Sequence, residues 1–448
     1  MATTAPGYRD APAPRPRRRR TQLKPVMTRE TALTAGGFVW LGLVALLLFN
    51  LALPKGGTRI EGFPITWGYV VIAGVAVFAA IGTLRRRDLS LPPIIQACCL
   101  MMPMAIITYY KAQQFGLPSS GWLQYAVLFG FFPIAILVFM APHLEQLQAR
   151  HIAGLLRTCI RFAVAWGLFN FLLFLAIGQV IEIPYVTVNG AEVISVLKKN
   201  NMRGSIMKLV SSFNNGNIFG VCMVMLMPLY FHIEKRKGWL AAFVIALLCT
   251  LSRTAWFAMT GAFILMVLAG QIRVNRVSVW VSLGAAICVF LAILPMLGWT
   301  SANLIDDRLG GRLKYLQKLE ISFLGQDTIN IPEVVYYGLL QSYGLVGLVI
   351  ALAALSYGAF YGLVNWGHLS QMRRSAVLGV MAYLFACTMD GAFVFPPVFP
   401  LFLFVNALIY RRGYRVAQQL VPAAVTPRRP RRRSPARPDA QTLAASAP

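Results

Sequence analysis

The sequence predicts an all-α integral membrane protein, because its apolar residues come in long continuous runs separated by short polar stretches. Hydrophobic residues make up 57% of the 448 residues, and the mean hydropathy is +0.63. A soluble domain cannot bury so much apolar surface, whereas runs near 20 residues can cross a bilayer as helices. The runs do not alternate between polar and apolar residues, which argues against a transmembrane β-barrel. We therefore expect about twelve transmembrane helices.

The predicted spans cover residues 31–53, 67–84, 92–109, 122–141, 154–181, 213–232, 239–251, 254–270, 277–298, 333–364, 375–394 and 398–412. The seventh is short, and Ser252-Arg253-Thr254 after it is either a turn between two spans or a defect inside one long helix. An even number of spans places both tails on the same side as the basic short loops, as the positive-inside rule prefers. We therefore favour the turn, with both termini cytoplasmic.

The net charge of +27 raises the possibility of nucleic-acid binding, but much of it lies in two tails rich in proline and alanine. We predict that residues 1–30 and 413–448 are disordered basic cytoplasmic tails attracted to anionic lipid headgroups. Residues 31–412 form the membrane domain. Two long loops, 182–212 and 299–332, lie on the outer side, and each is too short to form its own core. No nucleic-acid partner is expected.

Four arginines are predicted near the outer membrane surface: Arg203, Arg253, Arg308 and Arg312. Guanidinium groups bind phosphate with two parallel hydrogen bonds and stay charged at any working pH. Arg253 is the most informative, because it lies between two apolar runs, where an unpaired cation is costly. The alternatives are an interfacial arginine that reaches for lipid headgroups and a clamp for a diphosphate held at the membrane surface.

A catalytic base on the outer side must be a carboxylate, because the four histidines fall in predicted cytoplasmic loops or helix ends. We favour Glu333, since Pro332 is suited to open a helix and a carboxylate in the first turn suits the helix dipole. Tyr337 is four residues further, on the same helical face. Alternatively, Glu333 only satisfies the dipole. Asp390, within an apolar run, is either a functional acid or the partner of an arginine on a neighbouring span.

The stretch Ser211-Ser212-Phe213-Asn214-Asn215-Gly216-Asn217 opens the sixth span. Serine and asparagine are common helix caps, and asparagines such as Asn214 and Asn217 can also hydrogen-bond a sugar. No Walker, GxGxxG, HExxH or CxxC pattern occurs, so we predict no cofactor and no metal site. All seven cysteines fall inside apolar runs without metal-type spacing, which indicates small core residues.

Taken in order, these motifs resemble the O-antigen polymerase and O-antigen ligase superfamily. Arg203 precedes Phe213-Asn214-Asn215-Gly216-Asn217, Ser252-Arg253 follows, and Arg308 and Arg312 precede Tyr343-Gly344-Leu345-Val346-Gly347. The resemblance covers roughly residues 200–350 in motif and implies a fold like that of multi-span glycosyltransferases. It also implies metal-independent use of an undecaprenyl-diphosphate-linked glycan on the periplasmic side of the inner membrane, with the arginines holding the diphosphate. Ligases of this family typically carry histidine where this chain has Glu333, which favours a polymerase.

The sequence thus predicts an inverting glycosyltransferase that polymerises repeat units of O-antigen or exopolysaccharide. Arg203, Arg253, Arg308 and Arg312 would stabilise the leaving diphosphate, and Glu333 would deprotonate the acceptor hydroxyl. Asn214, Asn217 and Tyr337 are the predicted substrate-binding residues. Its partners would be the lipid-linked donor and acceptor, membrane lipids and a chain-length regulator. One alternative is an O-antigen ligase with lipid A core as acceptor. The other is a transporter of an anion or lipid, which should show broken helices in repeated halves.

Overall fold

The structure is a computed structural model that describes residues 29–60, 63–86, 89–190, 196–198, 201–203, 205–272, 295 and 321–411. Within these ranges the chain is mostly helical, with two short antiparallel hairpins beside the helices. The architecture is that of an all-α membrane protein. The predicted tails lie outside the described residues, except that the first helix begins at Arg29.

Thirteen α-helices follow one another through the described ranges. They are α1 (Arg29–Leu47), α2 (Trp67–Arg86), α3 (Leu91–Ile94), α4 (Met102–Gln114), α5 (Ser119–Ala126), α6 (Ala141–Leu144), α7 (Ala149–Ile177), α8 (Gly216–Ile233), α9 (Lys237–Cys249), α10 (Arg253–Leu268), α11 (Val335–Val364), α12 (Gln371–Ala386) and α13 (Val398–Tyr410). Four π-helical segments extend or join them: Leu48–Ala52, Ile95–Met101, Val127–Phe131 and Ile134–Met140. Strand β1 (Gly57–Ile60) pairs with β2 (Phe63–Thr66), and β3 (Met202–Arg203) pairs with β4 (Ile206–Met207). Three short 3-10 turns complete the set: Val196–Lys198, Ser211–Phe213 and Trp366–His368.

Six helical stretches in the described ranges are long and apolar enough to cross a membrane. They are Trp67–Arg85, Leu91–Gln114, Gly121–Leu144, Ala149–Ile177, Gly216–Ile233 and Val335–Val364. Shorter apolar helices occupy Val39–Ala52, Lys237–Cys249, Arg253–Leu268 and Val398–Tyr410. The predicted membrane class is confirmed by these helices, whereas the count of twelve stays a prediction. The run 277–298 lies almost entirely outside the described residues.

The ends of the described helices gather at two faces of the bundle. We call one end the Asp390 face: there the Ser212 hydroxyl, just before α8, donates to the Ala52 carbonyl beyond α1 at 2.6 Å. The other is the Arg85 face, where Arg411 Nε, just after α13, donates to the Leu144 carbonyl at 3.0 Å. Helix α9 ends and α10 begins at the Asp390 face, because Leu209 N, shortly before α8, donates to the Cys249 carbonyl at 2.9 Å. The turn at Ser252 that the sequence favoured is therefore confirmed.

Helices α8 and α13 form the centre of the bundle. Every residue of α13 is buried, and α8 packs closely against its neighbours through glycine positions. A Cβ placed on Gly379 of α12 would lie 2.3 Å from the Met225 carbonyl of α8, so only glycine allows this approach. By contrast, Phe78 of α2 is 76% exposed and Leu268 of α10 is 78% exposed. Such outward apolar side chains are expected on a surface that contacts lipid.

The described part of loop 182–212 packs onto the end of α7. Its buried residues Val188, Val196, Met207 and Val210 form a small cluster against Phe174 of that helix. Asn170 of α7 also accepts a hydrogen bond from the Ile181 backbone at 2.8 Å. The described part of the loop therefore packs as an extension of the helix bundle and holds β3 and β4 over the Asp390 face.

Helix α11 is broken at Gly344, where φ is 68° and ψ is −170°. The chain before the helix fills the break: Leu345 N donates to the Ser322 carbonyl at 3.1 Å, and Gln326 N donates to the Gln341 carbonyl at 2.8 Å. These bonds satisfy backbone groups that a continuous helix would pair internally. The Tyr343-to-Gly347 motif singled out in the sequence thus encodes a discontinuity in a membrane helix.

Lys111, at the end of α4, fastens this break to the rest of the bundle. Its ammonium donates to three backbone carbonyls, those of Leu324 at 3.0 Å, Gln326 at 2.6 Å and Ser342 at 2.6 Å. An ammonium has three donors, so these contacts use all of them. The side chain is buried, and the carbonyl dipoles take the place of water around its charge.

Gly344→Ala is expected to destabilise the protein by about 3 kcal/mol, because this backbone conformation is essentially restricted to glycine. A Cβ would also lie 2.3 Å from the Phe323 carbonyl. Thermal unfolding in detergent measures the change. Gly74→Ala on α2 is the matched control, since a Cβ there meets nothing within 4 Å. Equal melting temperatures for the two variants would show that the break is not required.

A partly buried ion pair ties α7 to the end of α8 at the Arg85 face. Arg161 donates to both carboxylate oxygens of Glu234, from Nε at 2.7 Å and from Nη2 at 2.8 Å. The backbone N–H groups of Lys235 and Arg236 each donate to the same carboxylate at 2.8 Å. Burial alone would raise the pKa of Glu234, but these hydrogen bonds outweigh it and lower the pKa to about 2.

Glu234→Gln is expected to cost about 2 kcal/mol of folding stability at neutral pH, because it weakens hydrogen bonds made to a charged group. A lowered carboxyl pKa stabilises the fold above its ordinary value of 4.5, and this contribution is lost as pH falls through about 2. The gap in melting temperature between wild type and variant should therefore shrink across that window. Lys237→Gln, an exposed neighbour, is the control and should show no such pH dependence.

Candidate functional site

A buried polar cluster made of Lys208, Asn217 and Asp390 lies at the Asp390 face. The Asn217 amide donates from Nδ2 to Asp390 Oδ2 at 2.8 Å, and its Oδ1 accepts from Lys208 Nζ at 3.4 Å. Lys208 is 2% exposed and Asp390 is 1% exposed. The Asn217 amide therefore links a cation to a carboxylate. Its orientation is fixed, because its oxygen must face the lysine and its nitrogen must face the carboxylate.

Three separate segments bring the polar cluster together. Lys208 follows β4, Asn217 lies in the first turn of α8, and Asp390 lies in the connection between α12 and α13. The last point corrects the predicted span 375–394, because α12 ends at Ala386 and leaves Asp390 outside the helix. The helix ends here because the next residues turn back toward α11, with Gly391 N donating to the Glu333 carbonyl at 3.0 Å.

The asparagines before α8 divide into different roles. Asn215 is the N-cap, and its side chain accepts from Asn217 N at 2.8 Å and Ile218 N at 3.3 Å. Asn214 adopts a left-handed conformation with φ of 57°, which asparagine tolerates better than most residues. Its carbonyl accepts from Asn201 Nδ2 at 2.9 Å. Capping and turn formation account for these two residues, whereas the Asn217 side chain belongs to the polar cluster.

Glu333 lies next to the polar cluster in space but is not in the first turn of α11. The helix begins at Val335 with Val334 as N-cap, so the predicted start at residue 333 is wrong. The Glu333 carbonyl accepts from Gly391 N and is therefore not used for a helical hydrogen bond; the Val334 carbonyl accepts from Gly338 N at 3.0 Å. Glu333 is exposed, so an exposed and a buried carboxylate lie on two chain segments that are directly hydrogen-bonded.

Tyr337 and Asn214, both predicted to bind substrate, are buried. Tyr337 is 6% exposed and lies within α11. Because Glu333 precedes the helix, the two side chains do not share one helical face as predicted. Asn214 is also 6% exposed, beside Asn170 and Glu182 rather than beside Asp390. Substrate binding by either residue stays a prediction.

Arg253 is the first residue of α10, directly after the N-cap Ser252, and it is half-buried. The turn that carries it is fastened to the segment of Lys208, since Leu209 N donates to the Cys249 carbonyl at 2.9 Å. Helix α8 also touches this turn closely: a Cβ on Gly220 would lie 2.7 Å from the Ala255 Cβ. The structure thus brings Arg253 to the same face as the polar cluster.

Arg203 is the second residue of β3 and is half-buried in the same loop that delivers Lys208. Lys208 N donates to the Asn201 carbonyl at 2.8 Å, which holds the hairpin beside the start of α8. The predicted diphosphate ligands Arg308 and Arg312 lie outside the described residues. The described part of their loop begins at residue 321 and contacts the break in α11, where Leu345 N donates to the Ser322 carbonyl at 3.1 Å.

Sequence reasoning missed Lys208 and did not connect Asn217 with Asp390. Lys208 looked like one more basic residue in an outer loop, and only its burial distinguishes it. A lysine that is fully removed from water needs partners, because its charge is otherwise costly. The signal for Asp390 was present: an acid within an apolar run demands a polar partner, which here is Asn217.

The Asp390 face brings together an exposed carboxylate, a half-buried guanidinium and the polar cluster. An exposed carboxylate, Glu333, can take a proton from a hydroxyl that approaches this face. Half-buried Arg253 supplies a permanent positive charge. The polar cluster on the same face is pre-organised by its own hydrogen bonds, so it keeps its geometry without help from a ligand.

Comparison with known proteins finds no matching family model and no match among curated protein sequences.

Proposed function

We propose that this protein is a membrane glycosyltransferase that extends a glycan carried on a lipid diphosphate, working at the Asp390 face. The observation that supports it most is the buried polar cluster, which loop 182–212, α8 and the connection after α12 form together. The same face of the bundle carries Arg253 and Glu333. Of these residues, Asn217 and Arg253 belong to the motifs that carry the resemblance to the O-antigen polymerase and ligase superfamily, and Glu333 stands where ligases of that family typically carry histidine.

In the proposed reaction, the acceptor hydroxyl oxygen forms a bond to the anomeric carbon of the donor glycan. The bond between that carbon and the diphosphate oxygen breaks, and the diphosphate leaves with the electron pair. The acceptor proton passes to Glu333. Positive charge from Arg253, and from the predicted ligands Arg203, Arg308 and Arg312, stabilises the leaving diphosphate. Attack opposite the leaving group inverts the anomeric configuration.

The charge distribution supports a periplasmic location for this chemistry. The helix ends and short connections at the Arg85 face carry Arg85, Arg150, Lys235, Arg236 and Arg374, and basic residues in and beside short loops favour the cytoplasmic side. The Asp390 face is then periplasmic in the inner membrane, where a lipid-linked glycan is displayed. Alkaline phosphatase fused after Gly190 measures this orientation, because the enzyme is active only outside the cytoplasm.

A transporter is the alternative from a different class, and the broken helix α11 is a feature that transporters share. In transporters, the ends of broken helices face a substrate or ion. Here Ser322, Phe323 and Gln326 fill the break with backbone hydrogen bonds, and Lys111 caps it. Because these hydrogen bonds occupy the break, it does not face a substrate or ion as it would in a transporter. This favours a structural role for the break and supports the transferase over the transporter.

Lipid-linked glycans extracted from a deletion strain distinguish the polymerase from the ligase. Loss of a polymerase leaves single repeat units on the lipid carrier. Loss of a ligase with lipid A core as acceptor leaves a full-length polymer on the carrier, not attached to its acceptor. An unchanged glycan profile would contradict both assignments and favour the transporter.

Glu333→Gln is expected to preserve accumulation and donor binding while lowering turnover at least about a hundredfold, because the amide cannot accept the proton. The measurement is glycan extension by purified protein in lipid discs, with lipid-linked repeat units as both donor and acceptor. Asp327→Asn, an exposed carboxylate of the same loop, is the control and should extend glycan normally. If Glu333→Gln matches this control, the proton acceptor is another group, and Asp390 is the next to test.

A further inference from the structure

An apolar groove opens between α1, α2 and the π-helical segment Ile134–Met140, away from the polar cluster. It encloses about 330 Å³ and is lined by Val39, Leu43, Val75, Ala79, Met140 and Phe404 among other residues. Helices α1 and α2 approach closely near Gly42, where a Cβ would lie 3.2 Å from Val75 Cγ1. Toward the Arg85 face they leave the space that forms the groove.

The length of the groove matches one leaflet of a bilayer. It extends along α2 from Val75 to Arg85, ten residues that rise about 15 Å in an α-helix. The hydrocarbon core of a bilayer is about 30 Å thick. The groove therefore covers the acyl-chain depth of the single leaflet on the Arg85 side.

The end of the groove at the Arg85 face is positively charged. Arg85 lines it and is exposed there, and Arg86 and Arg87 follow in the sequence. His143 also lines this end, and its ring is held by the Ala79 carbonyl at 3.0 Å and by Gln146 Nε2 at 2.9 Å. Among the described residues that line this end, Arg85 offers a permanent positive charge to a headgroup.

We propose that the groove binds one acyl chain of an anionic phospholipid from this leaflet, with the phosphate group at Arg85. An apolar cleft one leaflet long with a cationic end complements such a lipid in both shape and charge. Arginine is suited to this end because its guanidinium binds phosphate oxygens with two parallel hydrogen bonds. The inference does not depend on the proposed glycosyl transfer.

Native mass spectrometry of the full chain, purified in detergent with equal amounts of phosphatidylglycerol and phosphatidylcholine, tests the proposal. We expect one phosphatidylglycerol to be retained in preference. Arg85→Gln should weaken that binding about fivefold, since one basic side chain near a lipid surface contributes on that scale. Val39→Phe should fill the groove and reduce retention of both lipids.

Two variants serve as matched controls. Arg150→Gln removes an exposed arginine from the same face without touching the groove, and Val349→Phe enlarges an exposed apolar residue on α11. Both should retain phosphatidylglycerol as the wild type does. Equal retention by Arg85→Gln and Arg150→Gln, or by Val39→Phe and Val349→Phe, would overturn the proposal. Equal retention of the two lipids by the wild type would also overturn it.

Discussion

Arg253→Ala is expected to lower glycan transfer about a hundredfold while the protein accumulates and unfolds as the wild type does. Arg253 begins α10 at the Asp390 face, on the turn that the bond from Leu209 N to the Cys249 carbonyl fixes beside Lys208. Removing one charged contact to a leaving group in a preorganised site costs about two to three orders of magnitude in rate. Extension of a lipid-linked glycan in lipid discs is the measurement.

Arg253→Lys should recover little of this activity, because an ammonium cannot hold two phosphate oxygens in the fixed geometry of a guanidinium. Arg150→Ala at the Arg85 face is the control for loss of an exposed arginine. Full activity of Arg253→Ala would leave this residue as an anchor for lipid headgroups, the alternative that the sequence left open.

Asp390→Asn is expected to reduce glycan transfer at least about a hundredfold with only a small change in melting temperature. The asparagine oxygen can still accept from Asn217 Nδ2, so the hydrogen bond of 2.8 Å has a substitute. The negative charge that Asn217 links to Lys208 is lost, however, and the electrostatics of the site change. Asp390→Ala should additionally lower stability by about 1–3 kcal/mol, since the buried Asn217 donor loses its acceptor.

A double-mutant cycle distinguishes positioning through Asn217 from an independent effect of Asp390. If Asp390 acts through Asn217, Asp390→Ala and Asn217→Ala together should cost much less than the sum of the single variants, in both transfer rate and stability. Additive effects would show that the link between the two side chains carries no function. Asn214→Ala, outside the polar cluster, should combine additively with Asp390→Ala.

The helical pattern of the fold could be predicted because each apolar run must satisfy its backbone internally in a membrane. The turn at Ser252 was also predictable, since its polar residues separate two runs and the charge parity of the loops requires an extra span. The start of α11 could not be predicted from the local sequence. Pro332 and Glu333 resemble a helix start, but the distant Gly391 N–H binds the Glu333 carbonyl and delays the helix to Val335.

The candidate site was predictable only in part, for a similar reason. Arg253 and Asp390 stand out because charged residues beside apolar runs are costly. Lys208 does not stand out, because its burial results from loop 182–212 folding onto α8, which no local pattern encodes. Asn217 was chosen correctly as a residue of interest, but its partners are distant in sequence and become neighbours only when α8 and α12 pack together.

The residues that satisfy the break in α11 are synthesised before the break itself. Lys111, Ser322, Phe323 and Gln326, which bond to the groups freed at Gly344, all precede the break in the sequence. A ribosome therefore synthesises them before it reaches Gly344. When α11 enters the bilayer, partners for its unpaired carbonyls and N–H groups already exist, and the interrupted helix need not wait for α12 or α13 before its backbone is satisfied.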